Sequence, residues 1–266
     1  MPHIDPDAIT TLLEIGEVSA QLIDTVAPEA ASVPQRWRGI ADSVEPSERA
    51  AVALSLWNRD FLDLVPRFAH VLESALVDVR PCYWQGPSGA EIVLVYIVSS
   101  PGESLAVWVG WDPALFGDHR PTLWDSLPMQ ARTFLQEVHA GFTLPDGETC
   151  GLTRPRFMYS LAEWSGWPEG IPEWEGNWWE DCEPVDSRRL LRITGNGSDF
   201  DLCTSPDLPA GTGLASSSGH LQVVRQGTRR INDAAGELLT TRRNLICNGS
   251  TVSPGKSSRS RRALPS

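Results

Sequence analysis

The chain has 266 residues, 41% hydrophobic and 21% charged, a composition that belongs to folded proteins and excludes the disordered and fibrous classes. Its charge is uneven: residues 1 to 186 carry 10 arginines against 29 acidic residues, whereas residues 225 to 266 carry 9 basic residues against 2 acidic ones. Phosphate contacts need a positive surface, so the acidic body excludes nucleic acid as the expected partner and favours a basic one, whose approach its field would steer.

In chain order, Ile9, Leu12, Leu13, Gly16, Leu22, Ile23 and Val26 recur at helical spacing behind a cap at Asp5 or Asp7, and Pro28 ends the pattern. A second helical stretch runs from Ser47 through Leu64, breaks at Pro66 and continues to Leu76. Glu91 to Val98 is rich in β-branched residues and Ser104 to Trp111 alternates, with a turn at Ser99-Ser100-Pro101-Gly102 between them, so the pair predicts a β-hairpin. Trp111 to Pro121, holding Pro113 and Gly117, reads as a linker. Pro128 then suits the first turn of a helix carrying Ala131, Phe134, Leu135 and Val138, which should end near Gly141.

Residues 142 to 187 are rich in Gly, Pro and Trp and show little periodicity. Two short apolar runs, Arg189 to Ile193 and Phe200 to Cys203, flank Gly195-Asn196-Gly197-Ser198 and predict a second hairpin. Beyond Phe200 there is no aromatic residue, and the last stretch is dominated by Arg, Ser, Thr, Asn and Gly. The division expected is an α+β domain over 1–115, a second domain over 120–224 with helices on a mainly antiparallel sheet, and a basic tail over 225–266 that has little apolar surface to order it.

The longest apolar run, Ile92 to Val98, is too short to span a bilayer, and the acidic start Met1 to Asp7 lacks the features of a signal peptide, so a cytoplasmic location without membrane association is expected. Cys82, Cys150, Cys182, Cys203 and Cys247 are odd in number and far apart, which points to neither a disulfide framework nor a zinc ribbon. Neither a phosphate loop nor a nucleophile elbow is present, and no cofactor or metal is expected. Asp118-His119 is a carboxylate–imidazole pair without a nameable nucleophile, and it carries the competing reading of a hydrolase. His139 falls near the end of its helix, where a protonated imidazole would complement the dipole, so a capping or packing role is expected ahead of a catalytic one.

The densest local signal is Trp164, Trp167, Trp174, Trp178 and Trp179, five of the chain's 11 tryptophans within one short stretch, interleaved with Glu163, Glu169, Glu173, Glu175, Glu180, Asp181 and Glu183. Indoles are enriched where proteins bind one another, and carboxylates beside them would receive arginine or lysine from a basic partner. The candidate partner-binding set is therefore Trp164, Trp167, Glu173, Trp174, Glu175, Trp178, Trp179, Glu180 and Asp181. The alternative role for these rings is to close a core beneath a proline-rich loop, and two or three of the five are expected to do so.

Residues 120 to 222 resemble the SUKH superfamily, the Smi/Knr-like proteins. The resemblance rests on Leu127-Pro128 through Phe134-Leu135 to Val138-His139-Ala140-Gly141-Phe142 as an opening helix. Leu190-Leu191-Arg192-Ile193 followed by Gly195 to Phe200 matches as a Gly-rich hairpin, and the Trp/Glu run lies between the two. The family's strand usually ends in aspartate where Thr204 stands here. The resemblance implies a protein-binding module, an immunity protein that neutralises a polymorphic toxin by occluding its active or substrate-binding surface, with a basic toxin domain as partner. A regulatory scaffold in cell-wall or signalling assembly is the other role it implies.

Overall fold

A computed structural model describes residues 5–24, 28–86, 89–99, 105–174, 184–195, 200–208, 212–216 and 221–223. Helix α1 (Pro6–Leu13) is capped by the Asp5 carboxylate, which accepts from the Asp7 amide, and Pro6 occupies its first turn, where a missing N–H costs nothing. The helix does not run on to Val26 as its periodicity predicts. Gly16 takes a left-handed φ of 66°, and strand β1 (Ser19–Leu22) follows. Its backbone pairs with strand β2 (Leu76–Gly86), Ser19 opposite Gln85 and Leu22 opposite Cys82. Gly16, which the spacing places inside the helix, instead turns the chain, and the waiting strand edge outweighs the helical pattern beyond it.

Helices α2 (Arg38–Asp42), α3 (Pro46–Ser55), α4 (Arg59–Leu64) and α5 (Pro66–Ala75) follow, with Pro46 and Pro66 in first turns, so the expected break at Pro66 is present. Strand β2 has no counterpart in the sequence expectations, because Asp78, Arg80 and Pro81 interrupt its apolar pattern. The interruptions are accommodated singly. A register shift lies between Leu76 and Asp78, and the Pro81 carbonyl still accepts from the Ile23 amide at 2.9 Å. Strands β3 (Gly89–Ser99) and β4 (Leu105–Trp111) form the expected hairpin with Ser99 opposite Leu105, while its turn falls outside the described residues.

Strand β5 (Phe142–Thr143) completes an antiparallel five-stranded sheet in the order β1-β2-β3-β4-β5. Both faces of β3 are buried: Leu94, Tyr96 and Val98 lie in a large cluster with residues of α2 to α5, and Val93, Val95 and Ile97 lie in a smaller one with Ile9 and Leu13 of α1. Two-sided burial is why this strand reads as a continuous apolar run instead of an alternating one.

Helix α6 (Met129–Glu137) sits against the first half of the chain, not apart from it. Phe134 stacks on Phe61 with ring centroids 4.1 Å apart, and Trp57 meets Phe134 at 4.8 Å and Phe142 at 5.0 Å. One apolar cluster joins Leu72 and Tyr96 to Leu135, Phe142, Leu191 and Ile193. The boundary expected between 1–115 and 120–224 therefore does not separate two cores. Trp111 and Pro113 of the expected linker are buried, and the Ala140 amide donates to the Trp111 carbonyl at 2.9 Å. The sheet's helix-covered face is finished with aromatic rings from the second half, so the main core is shared between the two halves, and a smaller cluster of Leu161, Val185, Leu190, Cys203 and Leu208 lies within the second half alone.

Past α7 (Leu161–Trp164), strands β6 (Leu191–Gly195), β7 (Phe200–Thr204), β8 (Thr212–Ser216) and β9 (Leu221–Val223) build a second antiparallel sheet in that order. The expected second hairpin is β6–β7, its glycine turn lying outside the described residues. The other edge of β6 is covered by the loop before α7: Thr153 donates to Ile193, Arg192 to Tyr159 and Leu161 to Leu190, at 2.7 to 3.0 Å. The basic tail expected over 225–266 lies outside the described residues. The architecture is α+β. No helix among the described residues is long and apolar enough to cross a membrane.

Candidate binding surface

The short helix α7 is fixed at its start by a reciprocal cap. The Glu163 amide donates to the Ser160 hydroxyl at 3.2 Å, and the Glu163 carboxylate accepts from the Ser160 amide at 2.9 Å. Glu163 is thus already engaged in holding the turn. On its far side the Trp167 amide bonds back to the Ala162 carbonyl at 2.8 Å, and Gly166 adopts a φ of 81° to make that return possible. The apolar side of the turn, Leu161 and Ala162, is buried, and the indoles are left outward: Trp164 is 38% exposed and Trp167 53%. Tyr159, one residue before the cap, is also exposed.

Trp164 is held from below by a residue that sequence reasoning did not select. The guanidinium carbon of Arg192, buried on β6, lies 3.9 Å from the Trp164 ring centroid, and its Nε donates to the Asp201 carboxylate of β7 at 2.7 Å. Away from water such a cation–ring contact is worth about 2 kcal/mol or more, so one face of Trp164 is committed to the fold. The signal was present as a lone arginine inside the apolar run Leu190-Leu191-Arg192-Ile193, because a buried charge has to be paired.

Trp174 takes the core role expected for some of these rings. It packs against the cluster of Leu161, Val185, Leu190, Cys203 and Leu208, and its Nε1 donates to the Val185 carbonyl at 2.7 Å. Glu173 is exposed and takes a φ of 58°. Glu175, Trp178, Trp179, Glu180 and Asp181 lie outside the described residues. Nearby, Arg188 and Arg189 are each neutralised. Arg188 pairs with Asp186 and Arg189 with Asp207, and these hydrogen bonds hold both carboxyls below their ordinary range. Glu169 and Glu173, which follow Trp167 in the chain, are exposed, and Glu169 also lies within the field of Arg188.

Of the two roles expected for His139, capping and packing, the structure shows packing. His139 does not cap α6; it is fully buried, and burial pushes its imidazole down to about 3, so it is neutral and cannot complement a helix dipole. It fits because Gly110 faces it: a Cβ there would stand 2.6 Å from the ring. Asp118 and His119 are exposed in the loop before α6. Cys82 and Cys203 are buried, and burial raises both thiols, the former to about 12, which keeps them protonated and inert. Among the described residues no group of three or more His, Cys, Asp or Glu side chains is arranged to hold a metal ion.

No protein-family model matches the chain, and no curated protein or solved structure matches it with significance.

Proposed function

We propose that the protein is a cytoplasmic binding module of the SUKH-like immunity type, acting by occluding a basic toxin domain and not by catalysis. One observation carries this reading: Trp167, a large apolar ring, is more than half exposed on a turn that a reciprocal cap and a glycine hold in place. A preformed aromatic anchor loses little conformational freedom on binding, which is the property that makes indoles hot spots. The carboxylates of Glu169 and Glu173 and the excess of acids over residues 1 to 186 supply the field that a basic partner would follow. The resemblance of residues 120 to 222 to the SUKH pattern is in keeping with α6 standing where its opening helix is expected and with β6–β7 as its hairpin.

The test is to immobilise the full chain, recover bound protein from the source organism and repeat the capture with Trp167→Ala. A basic partner whose affinity for Trp167→Ala falls about thirtyfold, corresponding to about 2 kcal/mol, supports the surface. Co-expression with that partner should then restore growth. A captured toxin that binds both chains equally would move the interface elsewhere, and a partner whose toxicity is not relieved would overturn the immunity role.

A further inference from the structure

The indole turn also fits a segment of the same chain. Tyr159, Trp164 and Trp167 are all exposed, and β6 holds the first two at one residue: the Arg192 amide donates to the Tyr159 carbonyl at 3.0 Å, while the Arg192 guanidinium lies against the Trp164 ring. Arginine on a ring is a recurrent contact in this fold, since Arg120 lies over Phe116, Arg154 over Trp111 and Arg156 over Phe157, at 4.8 to 5.1 Å. Among the described residues no arginine lies over Tyr159 or Trp167. Residues 159 to 183 hold seven acidic residues and no basic one. The next arginines in the chain, Arg188 and Arg189, are taken by Asp186 and Asp207.

A source of free arginine follows in the same chain. Residues 225 to 266 carry 9 basic residues against 2 acidic ones and contain no aromatic residue, so their guanidinium groups have no ring of their own to stack on. The last described strand ends within reach of the turn. Val223 closes β9, three strands from β6 in the second sheet, about 14 Å at the usual strand spacing. The chain from Val223 to Arg230 can span up to about 23 Å, and that from Val223 to Arg242 up to about 60 Å. Residues 5 to 17 are also acidic without a base, but they expose Leu12 and Ile15 and hold no aromatic ring for an arginine to cover.

We propose that the basic segment 225–266 docks on the turn of Tyr159, Trp164 and Trp167, its arginines stacking on the exposed rings and pairing with Glu169 and Glu173, and so competes with a basic partner for this surface. Such regulation rests on the reading of the turn as a binding surface. A tethered segment acts at an effective concentration on the order of 1 mM, so a contact with a dissociation constant of about 0.1 mM keeps the surface about 90% covered and weakens a free ligand about tenfold. Weak basic competitors are thereby held off, while a tight partner still displaces the segment.

The probe is a fluorescein-labelled synthetic peptide of residues 225–262, titrated with full-length protein at low salt and followed by fluorescence anisotropy. A full-length variant carrying Arg→Ser at positions 225, 229, 230, 242, 243, 259, 261 and 262 is expected to bind the peptide about tenfold tighter than the parent chain, whose own segment stands in the way. Adding Trp167→Ala to that variant should weaken the peptide by about tenfold or more, and adding Glu169→Lys instead should weaken it as well. Thermal melting separates loss of binding from loss of fold, and Glu169→Lys decides the matter if Trp167→Ala is unstable. Equal affinity of the parent and the Arg→Ser chain, absence of saturation with both, or unchanged affinity in the folded Trp167→Ala chain would each overturn the proposal. The assay contains no toxin, so a failed capture leaves its result standing, and a failed peptide titration leaves a captured partner standing.

Discussion

The Tyr96 hydroxyl meets Nε2 of His139 at 2.8 Å in the centre of the main core, between the five-stranded sheet and the end of α6. Trp57 Nε1 already donates to that hydroxyl at 3.0 Å, which leaves the phenol proton for His139 and places the imidazole proton on Nδ1, 3.4 Å from the Trp111 carbonyl. The chain of donors is complete only while His139 is neutral.

Stability should therefore depend on pH in a defined window. His139 is pushed down to about 3 by burial, whereas an unfolded histidine titrates near about 6.5. As pH falls through that interval the unfolded state takes up a proton that the folded state refuses. Stability is thus full above about 6.5 and declines toward 3, by up to about 1.4 kcal/mol per pH unit. Burial raises Glu91, but Arg154 and Arg156 more than offset it and hold it below 4.5, so its contribution is lost only at lower pH. Urea unfolding between pH 6.5 and 5 isolates the histidine. His139→Gln should flatten that slope even if it lowers stability throughout, and an unchanged slope would remove His139 as its source.

The tryptophans should divide by burial. Trp57→Ala, in contact with Phe61, Phe68, Tyr96, Phe134 and Phe142, is expected to cost about 3 to 5 kcal/mol of stability. Trp167→Ala should stay within about 0.5 kcal/mol of the parent. A large loss of stability from Trp167→Ala in chemical denaturation would show that its ring is structural.

Arg49 and Asp78 form a bidentate buried pair at 2.7 and 2.8 Å, and Arg49 also donates to the carbonyls of Ser43 and Val44. Removing the arginine alone strands a buried carboxylate, so Arg49→Leu should cost about 3 to 5 kcal/mol. The double variant Arg49→Leu/Asp78→Leu should recover part of that loss. If the double variant is worse by the full sum of the single effects, the pair is not coupled.

A fragment of residues 1–120 lacks Phe134, Leu135 and Phe142, which complete the helix-covered side of the first sheet. It is expected to show no cooperative thermal transition and to bind a hydrophobic dye, whereas the full chain melts cooperatively. Cooperative melting of the fragment would restore the two-domain division.

Elements with local causes were legible in the amino-acid order alone. Pro66 and Pro128 and the apolar spacing around them placed α5 and α6 and the helical stretch that the fold divides into α3 and α4, and two apolar runs either side of turn residues placed the β3–β4 hairpin. That order also marked the Trp/Glu stretch as unusual, although it could not sort Trp174, which a carbonyl and an apolar cluster hold inward, from Trp167, which they do not. Features that depend on a distant partner emerge only in the folded chain. Ser19 to Leu22 are a strand because β2 offers an edge to pair with, and β2 tolerates Asp78 because Arg49 stands opposite it. His139 is neutral because Gly110 and five aromatic rings surround it, and Trp164 is anchored because Arg192 arrives beneath it from β6. Propensity and spacing act over a few residues, whereas burial, strand pairing and charge neutralisation are set by groups that only the folded chain brings within a few ångströms.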